Sequence, residues 1–486
     1  MGLGVQYAVH NNDVRTVLRG LMTRVFTFAR PDGTRGPPVL PNNPLARVTI
    51  PLIEEVKQFA KFIGAVAPLN LVDIPGAYRG RKRKNYERAV ESLITTPVCQ
   101  RDARLKTFVK TEKLNTSAKP DPDPRVIQPY DIRLLAMRMR WTRPLEHATY
   151  RAIDKLYGGA TVMKGLNAKQ RGAAICAAWR KYKDPHGFGL DCSRFDGHCL
   201  PPLLTIVSWL YLHVYGRNSP IAELEDWTMN SKGMARCQDG FVRYQVDGRV
   251  VSGSDKTGFG NIVMMMAMIG KVLRDNGLIG RISPIDDGDD AFMIGERADI
   301  EHLHAVMTQA FAEFGHELKC EPIVNVIEEI EFCQSHPVWD GGKYVMVRDP
   351  RVAIDKDLVC VRPVRNVNEY NFYRGSISEC GIRLAGNMPV WGQFYAALGR
   401  NLPPKWWANR KNKPYEAPIT GMTFLSKGMD AFLREPNEAT RLSFSRAFSI
   451  PVHIQREMES MYRSQNICYT QPGIVRKFNS LRNWCH

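Results

Sequence analysis

Between residues 282 and 294 the chain reads as an apolar strand, a tight turn and a second apolar strand, with Gly288-Asp289-Asp290 at the turn. Two apolar strands joined so closely must pair antiparallel, and a sheet this apolar needs helices to cover it. Asp and Gly favour turns, so this turn alone would be an ordinary hairpin. A second carboxylate changes its meaning. Asp191 ends another apolar strand, Gly187 to Cys192, in the run Gly189-Leu190-Asp191-Cys192-Ser193-Arg194-Phe195-Asp196. A carboxylate at a strand end beside a hairpin turn can share a pair of metal ions about 3.5–4 Å apart. Phosphoryl transfer uses such a pair to activate a 3′-hydroxyl and to hold a triphosphate and its leaving pyrophosphate. Mg²⁺ suits carboxylates, phosphate oxygens and retained water.

Two further groups of residues bear on that chemistry. Ser252-Gly253 opens a flexible loop, and Thr257 and Asn261 follow four residues apart on one helix face. That face can present an amide to a sugar hydroxyl. Upstream, Lys110, Glu112 and Lys113 precede a stretch with four prolines, Lys119 to Pro129, which contains Arg125. Cations on a stiff proline loop can bind a triphosphate with little loss of entropy.

The formal charge of +18, from 67 Lys+Arg against 49 Asp+Glu, points to a polyanionic partner. Nucleic acid is the first candidate and an anionic membrane surface the second. The run Arg79-Gly80-Arg81-Lys82-Arg83-Lys84 fits an RNA backbone contact and a solvated loop equally well. The 11 cysteines show no repeating framework, and residues 1–20 carry no signal-type apolar run, so reduced thiols in the cytosol are expected. His316, Cys320, Cys333 and His336 have a faint zinc-like spacing, but ordinary burial explains them better. No segment reaches the ~20 apolar residues of a membrane span. The nearest, 203–215 and 262–273, contain His213 and Lys271.

Along the chain, residues 1–75 read as irregular and wrapping. Helices are expected near 86–93, 132–152, 201–215, 256–274 and 300–314. Strands are expected at 106–113, 187–192, 282–294, 328–333 and 343–347. Residues 241–251 read as strands about a turn at Asp247-Gly248, and the chain after Asn366 as mostly helical. The order predicts an α+β fold with an antiparallel sheet backed by helices. Trp406, Trp407, Lys411 and Lys413 are candidates for contact with exiting RNA.

Asp191-x4-Asp196, Ser252-Gly253-x3-Thr257-x3-Asn261 and Gly288-Asp289-Asp290 occur in the order of motifs A, B and C of viral RNA-dependent RNA polymerases, with Lys110 to Arg125 where motif F belongs. Between about residues 78 and 357 the chain most resembles the tombusvirus family of positive-strand RNA viruses. The resemblance implies a cupped right hand: an N-terminal extension and fingers (1–180), a palm with an inserted fingers segment (181–345) and a mostly helical thumb (346–486). It implies Asp191 and Asp289 as the main Mg²⁺ ligands, Mn²⁺ being able to substitute, with Asp290 supporting. It implies Asp196 and Asn261, beside Ser252, Gly253 and Thr257, as the sensor of the ribose 2′-hydroxyl. Arg125, Lys110 and Lys113 would meet the triphosphate, Lys319 would protonate pyrophosphate, and Cys333 and Gln334 would support the primer. Implied partners are viral RNA template and product, rNTPs and a viral accessory protein. The implied place is the host cytoplasm, at replication complexes on membranes that the chain joins indirectly. Close relatives often carry Asp and Asn where this chain has Ser254 and Lys256, so Lys256 is expected to add charge near template or nucleotide. No motif G can be located.

A reverse transcriptase would share the palm carboxylates but block the 2′-hydroxyl, which Asp196 and Asn261 instead invite. A non-catalytic RNA-binding or capsid protein would have no use for acids at 191, 289 and 290, which repel phosphate unless metal lies between.

Overall fold

The computed structural model describes residues 7–30, 33–361, 364, 366–403, 420–465 and 476–478. Its centre is a four-stranded antiparallel sheet in the order Ile282–Asp286, Asp290–Glu296, Pro185–Cys192, Leu318–Cys320. The first three of these strands are buried on both faces, which is why they read as nearly continuous apolar runs. Phe188, Leu190, Ala291 and Met293 belong to one core with the helices Lys256–Asp275 and Arg297–Glu313. Ile285, Phe292 and Ile294 belong to a second core, with the helix Ala168–Trp179 and the strands Ser335–Trp339 and Tyr344–Arg348.

A second sheet runs Val126–Ile127, Leu105–Val109, Asn230–Arg236, Phe241–Asp247. Beside it lies the 26-residue helix Ile132–Tyr157, which Asp131 caps at its start and left-handed Gly158 ends. Toward the C-terminus, the helices Val367–Ala385, Trp391–Gly399, Glu438–Phe448 and Val452–Ser464 gather around Trp391, Phe394, Tyr395, Phe444 and Phe448. Residues 406, 407, 411 and 413 lie outside the described residues. Among the described residues, no helix is long and apolar enough to cross a membrane.

The α+β class and most of the expected elements are present, with four differences. Residues 1–75 are not irregular: Val14–Leu21 and Ile50–Ala60 are helices, the second burying Leu52, Val56 and Phe59 at helical spacing. Phe241–Asp247 pairs with Asn230–Arg236 before it, not with residues after Gly248. Residues 327–329 form a 3₁₀ turn, and the strand expected at 328–333 begins at Ser335.

The fourth difference is Lys256. Its amine turns into the core, 2.7 Å from Glu225, rather than toward template or nucleotide. Glu225 also pairs with Arg138 at 2.5 Å, and Arg138 with Asp255 at 2.9 Å. This network ties Ile132–Tyr157 to Pro220–Met229 and to the start of Lys256–Asp275. Burial alone would raise the Glu225 carboxyl, but Lys256 and Arg138 bring it down to about 2. A depressed carboxyl contributes stability above its unfolded pKa, and that contribution is lost as pH falls through the folded value. Glu225→Gln leaves two cations short of a partner, so it should cost about 3–5 kcal/mol at neutral pH. Thermal melts should also show a smaller loss of stability between about pH 4.5 and 2 than in the parent.

Candidate active site

The site forms where the carboxylate strand meets the hairpin turn. Register sets Asp191 directly opposite Asp290 on one side and Lys319 on the other. Directly opposite residues project to the same face, with Cβ atoms about 4.5–5.5 Å apart. Asp289 sits next to them in the turn, which Asp287 N–H closes by donating to the Asp290 carbonyl at 2.9 Å. Gly288 has φ +104°, a conformation a tight hairpin of this kind asks of glycine. Asp191, Asp289, Asp290 and Lys319 all keep exposed surface. The Asp290 carboxyl is nonetheless partly withdrawn from water. That withdrawal, then the charges of Asp289, Asp287 and Asp191, raise it to about 6.

Such uncompensated acid suits a hard divalent cation, which takes carboxylate oxygens together with phosphate and water. Among the described residues, no three His, Cys, Asp or Glu side chains stand gathered as a ready metal cage. The donor chemistry fits Mg²⁺ held by one or two carboxylates plus substrate phosphate. The zinc-like four each have their own partner: His316 stacks on Phe195, Cys320 faces Thr308, Cys333 faces Asp287 and His336 packs on Phe448.

Asp196 and Asn261 come together, the Asn261 amide donating to Asp196 at 2.8 Å and the Ser252 hydroxyl to its other oxygen at 2.9 Å. Burial raises the Asp196 carboxyl, and these two donors oppose the rise. The Asn261 carbonyl oxygen is buried without a hydrogen-bond partner, and only a ligand or water could satisfy it. Thr257 does not join them: its hydroxyl donates to the Val251 carbonyl at 3.1 Å and steadies the loop. Gly253, at φ +102°, turns that loop against Ile127 and Pro129. The Ser252 carbonyl accepts from Gln128 at 2.7 Å.

Lys110 and Arg125 share Glu112 at 3.3 and 3.5 Å, and Lys110 N–H donates to the Arg125 carbonyl. Lys113 leaves this group: its amine donates to the Lys356 carbonyl, and burial brings it down to about 8. Cys333 and Gln334 make a left-handed corner, φ 50° and 57°, behind the aspartate turn.

A family model described as viral RNA dependent RNA polymerase matches residues 1–470. The chain belongs to that family. It is 35% identical over 95% of its length to the RNA-directed RNA polymerase of Maize chlorotic mottle virus (isolate United States/Kansas/1987), and covers 47% of that relative. It is 34% identical over 94% of its length to the enzyme of Tobacco necrosis virus (strain A), covering 62% of it. With that of Turnip crinkle virus the identity is 33%, over 97% of this chain and 60% of the relative. The chain thus spans about half to three-fifths of the length of these relatives. The family match extends well beyond the 78–357 range that the motifs alone carry.

Around the viral polymerase motifs stand residues that sequence reasoning missed. Arg171 pairs with Asp287 at 2.6 Å and Lys164 with the other oxygen at 3.3 Å, so two cations from 164–171 clamp the base of the Gly-Asp-Asp turn. Arg19, fully buried, holds Asp121 at 2.6 Å and Asp123 at 3.1 Å in the proline loop, and Asp123 also takes Arg194 at 3.2 Å. The N-terminal helix therefore fixes the proline loop to the Asp191–Asp196 segment. Arg24 lies near Arg125 and Arg194. Burial first, then those two charges, lowers its pKa, and its Nε has no hydrogen-bond partner. No local pattern in the sequence marks these residues, because each acts across long chain separations. Removing the closer cation of the clamp, Arg171→Met, should destabilise the fold by about 2–3 kcal/mol in chemical denaturation, since Asp287 would keep only half-exposed Lys164.

Proposed function

We propose that the chain is the catalytic part of an RNA-directed RNA polymerase that copies a positive-strand RNA virus genome from rNTPs by two-metal nucleotidyl transfer. The observation that carries this reading is the register that sets Asp191 opposite Asp290 and Lys319, beside Asp289. Asp191 and Asp289 would hold Mg²⁺, or Mn²⁺ in its stead, with Asp290 supporting. Bound there, the ions would acidify the primer 3′-hydroxyl and neutralise the triphosphate.

The protein's own groups do the rest by positioning and charge. Arg125 and Lys110, with Arg24 and Arg194 behind them, attract and orient the triphosphate; Lys113 steadies the same loop from the far side. Ser252 holds Asp196, which in turn holds the Asn261 amide so that its free carbonyl oxygen accepts the ribose 2′-hydroxyl. A site built to bond a hydroxyl rejects the analogue that lacks it. Lys319 gives its proton to departing pyrophosphate. Cys333 and Gln334 support the primer strand. In this reading residues 1–180 are N-terminal extension and fingers, 181–345 palm and 346–486 thumb. The partners are template and product RNA and a viral accessory protein, which brings the chain to membrane-bound replication complexes in the host cytoplasm.

Template-directed incorporation of labelled rNTP with Mg²⁺ tests the reading. Asp289→Ala should lower the rate by about 10³-fold or more while the circular dichroism spectrum stays that of the parent. Product undiminished in the variant would refute the assigned site. Asn261→Ala should narrow the preference for rNTP over dNTP by about tenfold or more in kcat/KM. An unchanged ratio would remove Asn261 from sugar recognition.

A further inference from the structure

The second sheet has one face in the core and one in solvent. Along Asn230–Arg236 residues alternate exposed and buried, and the same holds for Leu105–Val109 and most of Phe241–Asp247. Register pairs Lys106 with Met234, Met234 with Arg243, Lys232 with Gln245 and Arg236 with Phe241. The open face therefore interleaves Lys232, Arg236 and Arg243 with Phe108, Met234 and Phe241. An open sheet face is normally polar, yet Phe108 is 44%, Met234 37% and Phe241 60% exposed. Arg243 lies over the Phe241 ring at 5.0 Å.

Charge on this face is one-sided. Among the described residues, Lys232, Arg236 and Arg243 have no ion-pair partner. Of the nearby acids, Asp131 is taken by Lys106, Asp239 accepts from the Val14 N–H beyond the turn, and Asp247 lies at the far end of its strand. Lys106 also lines an adjoining cleft of about 480 Å³ with Asn85, Arg88 and Arg133. The strand bearing Lys106 and Phe108 runs directly on to Lys110.

We infer that this face is a platform for an unpaired RNA strand outside the catalytic cleft, a role that rests on the polymerase reading above. The strands carrying Phe108 and Phe241 are two apart, or about 10 Å, a span that a short run of unpaired nucleotides covers. Bases stack on the two rings, and phosphates meet Lys232, Arg236 and Arg243. Aromatic side chains set among cations on an open sheet bind single strands with little base preference, since every base offers a π-face. The rings are separated by charges rather than merged into one apolar wedge, which favours a nucleic acid over a lipid surface.

The test is fluorescence anisotropy of a labelled oligouridylate of about 20 nucleotides with the full chain, at several salt concentrations. All the altered side chains are exposed, and thermal melts should match the parent. Lys232→Glu with Arg243→Glu should raise Kd about tenfold or more and flatten the dependence of log Kd on log salt by about one to two. Phe241→Ala should raise Kd about fivefold with the salt slope unchanged. Incorporation on a short self-priming hairpin should stay at the parent rate in both. Kd values within about twofold of the parent in both variants would overturn the proposal. So would loss of self-association in sedimentation, or of binding to phosphatidylserine vesicles, with RNA affinity kept, since the face would then serve a second copy or a membrane. A parent that makes no product but whose RNA affinity responds as stated would refute the polymerase reading and leave the platform standing.

Discussion

The structure depends on the pairing of Pro185–Cys192 with Asp290–Glu296. That register decides whether Asp191 meets Asp290 or faces the opposite side of the sheet, because a slip of one residue inverts every side chain. Alternate residues of the hairpin belong to different hydrophobic cores: Met293 to one, Phe292 and Ile294 to the other. A slip would exchange them, so the apolar packing that stabilises the fold also fixes the positions of the carboxylates.

Holding acids together this way costs free energy, and the surroundings offset only part of it. Asp287 is neutralised by Arg171 and Lys164, but among the described residues Asp290 has no such ion-pair partner, and its carboxyl is raised to about 6. Asp286, fully buried one residue before Asp287, is also pushed well above the carboxylate range by burial and then by Asp287. The clamp therefore stabilises the base of the turn while the tip keeps excess negative charge, as the proposed metal site would require. Cations that could have neutralised the tip are placed instead on the proline loop and the N-terminal helix. Arg125, with Arg194, crowds Arg24, whose pKa burial first and then those two charges lower, while Asp123 and Glu112 oppose the shift.

What was legible in the sequence followed from local physics. The turn at Gly288, the strand ending in Asp191 and the helix carrying Asn261 rest on residue preferences that act within a few positions. The pairing of Asp196 with Asn261 was reachable only through the family resemblance, since 65 residues separate them. Lys164, Arg171, Arg19 and Arg24 were not legible, because nothing near them in the chain distinguishes a clamp from a solvated cation. Lys256 was misread for a related reason: a lysine at a helix start beside a functional loop is ordinarily solvated, but here Glu225 lies beneath it in the core. The helices in residues 1–75 were obscured by the Pro/Gly-rich stretch from Arg30 to Pro44 that lies between them.

The N-terminal segment then takes on a role that its sequence does not suggest. Arg19 reaches the proline loop, Asp123 passes the contact to Arg194, and the Arg24 carbonyl lies so close to Gly197 that a side chain there would collide with it. The proline loop, the Asp191–Asp196 segment and the N-terminus are thereby joined by charge and by close packing. Pairs such as Arg19–Asp121 are buried on the arginine side, where losing one partner is far more costly than at a surface. A movement of the proline loop must therefore carry the N-terminal helix with it or break a buried pair. The cations proposed to orient a triphosphate stand on a braced support, and preorganised charge of this kind would need little rearrangement when a substrate arrives.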